Sequence, residues 1–238
     1  SSRRDLYQYI ITTQHVRLVF FYSSLGPINS WRKLHIQPII VESQIFRQCN
    51  VLQDTVKEVV VSEGAEEVAK VATDSEGSIT LELDSGAFFR PGSADLLEQA
   101  VPFLQGIYEE LSSPLYRQFN ITVEGHTDDD PISTLRYPSN WELSTNRAAT
   151  VVRFFISTAA NDTRTDTNGQ PYGMTANRLS AVGYAHTQPK VPNRDADGQP
   201  IVENQKTNRR IIVRVNRQQN YDEPKIPTFR RKSKELRK

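Results

Sequence analysis

Residues 119–158 read FNITVEGHTDDDPISTLRYPSNWELSTNRAATVVRFFIST. The opening FNITVEG alternates apolar and polar side chains, the pattern of a strand with one buried face. It runs directly into GHTD. Pro138 ends the polar stretch that follows, and Ser139 can cap a helix by accepting one of its free N–H groups. A strand, a polar loop and a capped helix in one continuous stretch form the central unit. The rest of the chain is read outward from it.

Upstream, SITLELD at 78–84 alternates in the same way and reads as another strand. FFRPGS is a loop. Ser93 can cap a helix there, with Asp95 well placed in its first turn. Leu97, Val101, Leu104, Tyr108 and Leu111 then make one apolar stripe. Pro102 lies inside it and should kink the helix or delay its regular part. Downstream come a polar loop at 161–176, a strand in RLSAVGYA, a long loop at 186–208 and a last strand in RRIIVRV. The order β-α-β-α-β-β predicts an α+β domain with helices packed on one face of a mixed sheet. Residues 51–72 place Val, Leu and Ala at helical spacing, with Gly64 as a break. Residues 1–50 have no clear periodicity. LHIQPIIVESQIF could supply a strand, and Pro38 would confine it to a sheet edge. No internal repeat is apparent. The expected division is an unassigned segment at 1–50, a linker or helical connector at 51–74, a domain at 75–216 and a basic tail at 217–238.

The 238 residues suffice for one domain with a sizeable core plus extra segments. The formal net charge of +1 argues against a nucleic-acid binder. From Arg217 onward there are 8 Lys/Arg against 3 acids, which leaves 21 against 25 in the body. The tail RRKSKELRK reads as a solvated end. Cys49 is the single cysteine, which excludes an intrachain disulfide and any cysteine metal cluster. It fits the cytosol and the bacterial periplasm alike. The best apolar run, VRLVFFYSSLGPINSW, is interrupted by Arg17 and ended by Ser23, Ser24, Gly26 and Pro27. A spanning helix needs about 20 mostly apolar residues. Ser1–Gln14 is too polar for a signal peptide. The expectation is a soluble chain.

On the helix from Ser139, residues Asn140, Ser144 and Arg147 share one face, and Val151 and Phe155 continue it. An ordinary amphipathic helix keeps its inward stripe apolar throughout. Here the stripe begins with an amide, a hydroxyl and a guanidinium, which need partners if buried. Two readings stand: Arg147 pairs internally with an aspartate, or it waits for a ligand. GHTD leaves the strand at its carboxyl end, where sites are commonly built. Asp128 and Arg147 would match a zwitterion, the carboxylate taking an ammonium and the guanidinium gripping a carboxylate. Free N–H groups at the helix start favour the same anion. Three aspartates and a histidine could also attract a hard cation, but neighbours along a strand or loop point different ways. Paired carboxylates could act on a glycan, but neither an activated nucleophile nor a second placed carboxylate is apparent. His126 reads as scaffold, and Asp129 and Asp130 as loop residues. NRDADGQPIVEN at 193–204 imitates the start of a calcium loop. Glu203 and Asn204 then break the EF-hand register, so it reads as a polar surface loop.

GHTD, SNWELSTNRA, RLSAVGYA and TNRRIIV, in this order, resemble the OmpA-like peptidoglycan-binding domain. YPSNWELSTNRA, its longer loop after GHTD, and FFRPGSADL are most similar to the MotB branch, the stator proteins of the flagellar motor. The resemblance covers about residues 75–216. It implies an α+β fold with a mixed sheet. It also implies non-covalent binding of peptidoglycan through its diaminopimelate, with no reaction catalysed, no metal and no cofactor. By motif position it implies Asp128 and Arg147 as the principal ligand residues, with Thr127 and Asn140 beside them. One or both of Arg209 and Arg210 should reach the same pocket. It further implies a homodimer in the periplasm, associated with the cell wall. A MotA-like membrane subunit would be its partner where a membrane segment is present. Two departures stand out. Ala185 occupies a turn position where the family usually has glycine, with little effect expected. Residues 1–50 do not resemble the family's ion-carrying transmembrane helix, so the stretch given is expected to bind wall without conducting ions. A general envelope anchor of the OmpA or lipoprotein type, with no motor role, is the alternative.

Overall fold

The computed structural model describes residues 8–13, 16–21, 36–73 and 78–217, with side chains from residue 47 onward. Strands β1 (Gln8–Thr13) and β2 (Val16–Phe21) pair antiparallel as a two-stranded sheet. Helix α1 (Ile36–Ser62) follows. Next come β3 (Ala69–Thr73), β4 (Ile79–Asp84), a single turn α2 (Ser85–Phe88) and α3 (Ala100–Leu111). The chain continues through β5 (Phe119–His126), α4 (Asn140–Ala160), β6 (Leu179–Ala185), α5 (Val202–Asn208) and β7 (Arg210–Arg217).

The main sheet has the order β3-β4-β7-β5-β6. Only β5 and β6 pair parallel, joined by α4; the other pairs are antiparallel, so the sheet is mixed as predicted. Cross-strand register stacks the alternating residues into rows. Ile79, Val215, Ile121 and Leu179 make one row, and Leu81, Val213, Val123 and Ala181 the next. These rows meet Phe103, Leu104, Ile107 and Tyr108 of α3, Ala148, Val151 and Phe155 of α4, and Leu52 and Val56 of α1 in one core. Each fully buried large side chain there contributes about 1.5–3 kcal/mol. The third row, Leu83, Ile211, Gly125 and Gly183, shrinks to two glycines at the β5–β6 end. That gap receives the start of α4.

Several elements differ from the sequence expectation. LHIQPIIVESQIF lies largely in α1, not in an edge strand. Pro38 falls in the first turn, where its missing N–H leaves no bond unmade. The helical spacing at 51–72 holds only to Ser62. Gly64 then adopts φ 62° and the chain turns into β3. Only Ala69 of β3 is buried, so this edge strand carries no alternation to read. Both α1 and β3, over the stretch read as a linker or connector, contribute to the domain's core through Leu52, Val56, Val60 and Ala69.

Helix α3 starts at Ala100, later than Ser93 suggested. The Ser93 hydroxyl accepts from the Asp95 N–H in a local turn instead. Pro102 thus sits in the first turn, where its missing N–H breaks no helical bond. The buried stripe is Ala100, Phe103, Leu104, Ile107, Tyr108 and Leu111, with Val101 exposed. The loop at 186–208 ends in α5, which shows no strong apolar face because only Gln205 and Asn208 are buried. Ser139 caps α4 as expected, accepting from the Trp141 N–H at 3.2 Å.

Candidate functional site

Helix α4 lies against the ends of β5 and β6 because two residues there have no side chain. A Cβ on Gly125 would stand 2.1 Å from the Ser144 carbonyl oxygen, and one on Gly183 would stand 2.1 Å from Thr145 Oγ1. The Ala185 N–H donates to Ser144 Oγ at 3.1 Å, and the Thr127 N–H donates to the Ala185 carbonyl at 2.8 Å. The register shifts between Gly125 and His126, and Ala185 takes φ 49°. The loop after β5 is therefore fastened to the first turns of α4. The Ala185 departure has a structural consequence, because an L side chain in the left-handed region is strained.

The inward stripe of α4 is as predicted: Asn140, Ser144, Arg147, Val151 and Phe155 are all buried. Asn140 Nδ2 donates to the carbonyls of Asp130 at 2.9 Å and Asp128 at 3.4 Å, so it shapes the loop that carries the acids. Thr127 Oγ1 donates to the Asp128 carbonyl at 2.8 Å. Asp128 is 7% exposed, and its Oδ2 receives Arg209 Nη1 at 2.5 Å. The internal pairing that the sequence left open does occur, but with Arg209 and not Arg147.

Arg147 is 5% exposed. Its Nε donates to the Ser93 carbonyl at 2.8 Å, and its guanidinium lies 5.5 Å from the centre of the Phe89 ring. Its two terminal amino groups have no acceptor among the described residues. Burial pulls its pKa down to about 10, against the opposing influence of Tyr137 and Asp128 and with the help of Arg209. Arg210 goes elsewhere. Its terminal amino groups donate to the carbonyls of Asn208 and Gln188, and it sits on the sheet face opposite the helices, where burial pulls its pKa down against the opposing influence of Glu82 and Glu124. The structure brings Thr127, Asp128, Asn140, Arg147 and Arg209 together and leaves Arg210 apart.

Asp129 and Asp130 both hold Arg194, at 2.6 and 3.0 Å, and Asp129 also accepts from Gln205 of α5 at 3.1 Å. They tie the GHTD loop to the segment leading to Arg209. His126 is 1% exposed, stacks on Tyr184 at 5.2 Å and lies 3.7 Å from Glu124, too long for a hydrogen bond. Asp195 Oδ1 accepts the N–H groups of Asp197 and Gln199, which explains the calcium-like spelling as a self-closed turn. Among the described residues no group of three His, Cys, Asp or Glu could hold a metal ion. Also among them, no helix is long and apolar enough to cross a membrane. Ser93, Phe89 and Tyr137 around Arg147 were missed as site residues. Their link to Arg147 is tertiary, and FFRPGS signals only a loop.

Residues 88–203 match the OmpA family model. The chain is 35% identical over 142 residues to the uncharacterized protein YtxE of Bacillus subtilis, covering 60% of this chain and 50% of that one. It is 27% identical over 160 residues to Motility protein B of Helicobacter pylori, covering 64% and 54%. The chain thus spans about half the length of the curated relatives it matches. Among solved structures, a protein described as MotB-like from Desulfovibrio vulgaris superposes with a TM-score of 0.57 at 28% identity, covering 77% of this chain and 99% of that one. The cell wall anchor of the T6SS from Pseudomonas aeruginosa gives 0.53 at 25% identity, covering 68% and 96%. Fold, motif order and matches together make residues 88–203 similar to OmpA family domains, with MotB-like proteins among the relatives.

Proposed function

We propose that this domain binds peptidoglycan without cleaving it and anchors a MotB-like flagellar stator protein to the cell wall. The ligand group is the zwitterionic carbon of diaminopimelate, with its ammonium at Asp128 and its carboxylate between Arg147 and Arg209. Thr127 and Asn140 hold the loop that presents Asp128. The observation that carries this reading is Arg147, a buried guanidinium fixed at one edge by a carbonyl, with no acid joined to it among the described residues. A desolvated, uncompensated cation beside a half-engaged carboxylate is costly for folding and is matched by a ligand bearing both charges. The protein works in the periplasm, as a homodimer, and beside a MotA-like membrane subunit where the full protein includes a membrane segment.

A second reading keeps the wall anchor and drops the motor. The T6SS cell wall anchor has a similar fold at 25% identity, so this fold serves more than one machine. Sedimentation with purified sacculi tests the shared part. The chain should pellet with the wall, and Asp128→Ala and Arg147→Ala should each leave it in the supernatant while keeping the native circular dichroism. Retention of both variants at the wild-type level would sink the pocket assigned here. Release of soluble muropeptides would favour an enzyme instead. Complementation of a non-motile stator mutant, with the domain joined to a membrane segment, separates motor from general anchor.

A further inference from the structure

The groups around Arg147 are almost all donors. Its Nε is used by the Ser93 carbonyl, which leaves two terminal amino groups to offer. Tyr137 is 3% exposed, and its hydroxyl oxygen accepts the Ala94 N–H at 3.1 Å. That bond fixes the hydroxyl, while its own proton has no acceptor among the described residues. The Ser93 carbonyl that takes Arg147 Nε and the Ala94 N–H that Tyr137 takes belong to one peptide group, so the hydroxyl and the guanidinium are held from the same point of the chain. Arg209 commits one amino group to Asp128 and keeps the rest. Two guanidinium charges face one carboxylate, so the site carries a net positive charge before a ligand arrives.

A carboxylate accepts through two oxygens and can take all of these donors. A carboxamide brings one acceptor oxygen and an NH₂ group that would point a donor at donors. It would also leave the buried Arg147 charge uncompensated. We propose that the site requires a free carboxylate on the ammonium-bearing carbon and rejects the carboxamide, with Tyr137 as a ligand-binding residue that enforces the choice. This rests on the diaminopimelate reading above and adds to it which chemical form of the wall is held. Wall whose diaminopimelate is amidated at that carbon would not be gripped, so an amidating reaction upstream would switch anchoring off.

The test is calorimetric titration of the chain with two synthetic stem tripeptides ending in meso-diaminopimelate. One carries the free carboxylate beside the ammonium, the other the carboxamide at that position. The carboxylate peptide should bind at least about ten-fold more tightly, the scale of lost charge-assisted hydrogen bonds. Equal affinities would overturn this inference and leave the wall-binding reading standing. Binding of neither peptide would overturn both. Tyr137→Phe should weaken the carboxylate peptide and leave the carboxamide peptide unchanged, so the ratio narrows. A merely structural Tyr137 would weaken both alike, and that outcome removes it from the site. Arg147→Gln should bring the ratio close to one, and a ratio kept at the wild-type value would exclude Arg147 as the discriminating cation.

Discussion

Asp128 is joined to Arg209 and not to Arg147, although Arg147 is the more deeply buried of the two arginines. The acid at the end of β5 is neutralised from the segment between α5 and β7, while the cation on α4 waits. Any anion entering must serve Arg147 without displacing Arg209, and any cation must share Asp128 through its other oxygen.

That arrangement predicts a trade between stability and binding. Arg147 is held by one carbonyl and one aromatic face, and burial disfavours its charge. A methionine of similar length would keep the contact with Phe89 and remove the desolvation cost. Arg147→Met should therefore stabilise the domain by about 1 kcal/mol, or about 2–4 °C in melting temperature. The same variant should fail to pellet with sacculi. A fall in melting temperature would mean that the Ser93 bond outweighs the burial of charge.

How far this was legible in the sequence depends on whether an interaction is local. The α4 stripe follows from spacing along one helix, so Asn140, Ser144 and Arg147 could be placed on one buried face before any fold was known. The strands β4, β5 and β7 alternate because one face meets helices and the other does not. Edge strand β3 and helix α5 bury too little to leave a pattern. Arg209 and Arg210 are adjacent and chemically alike, so sequence could not choose between them. The choice is made where α5 ends and β7 begins: β7 turns Arg210 to the open sheet face, and Arg209 precedes the strand. Ser93 and Tyr137 join Arg147 only through the fold.

The open sheet face predicts an acid-labile step. Burial works against the charge of Glu124, but His126 and the two-pronged contact from Arg214 outweigh it and bring its pKa to about 2. A folded pKa below the ordinary 4.5 means that the folded state favours the ionised form. The resulting stability is present above about pH 4.5 and is lost as pH falls towards 2. Asp162 acts in the same direction, held down by Arg164 and Tyr108. Chemical denaturation at a series of pH values should give a steep acid limb for the wild type. Glu124→Gln should flatten that limb while lowering stability at neutral pH. An unchanged slope would exclude Glu124 as its source.

Ala185 predicts a gain. Its φ of 49° places an L side chain in the left-handed region, at a position fully buried between Ser144 Oγ and the Thr127 N–H. Glycine relieves that strain, worth about 1–2 kcal/mol, and gives back part of it through the freer unfolded chain. Ala185→Gly should stabilise by about 0.5–1 kcal/mol with sacculus retention unchanged. A destabilised variant would mean that the lost methyl packing is the larger effect.

Gly125 predicts the opposite, and against backbone. An added Cβ would meet the Ser144 carbonyl oxygen at 2.1 Å and its carbonyl carbon at 2.8 Å. Neither atom can swing away as a side chain would, so the start of α4 must lift from the β5 end. Gly106 provides the contrast within the same domain. Its added Cβ would meet only the Val59 side chain, with Cγ1 at 2.9 Å and Cγ2 at 3.9 Å, and alanine gains about 1 kcal/mol of helix propensity in α3. Gly125→Ala should cost about 3 kcal/mol. In what remains folded it should weaken sacculus retention, because lifting α4 moves Asn140 and Arg147 away from Asp128. Gly106→Ala should stay within about 1 kcal/mol of the wild type and keep its retention. Equal behaviour of the two variants, read by urea denaturation and sedimentation, would show that the α4–β5 contact does not set the geometry of the site.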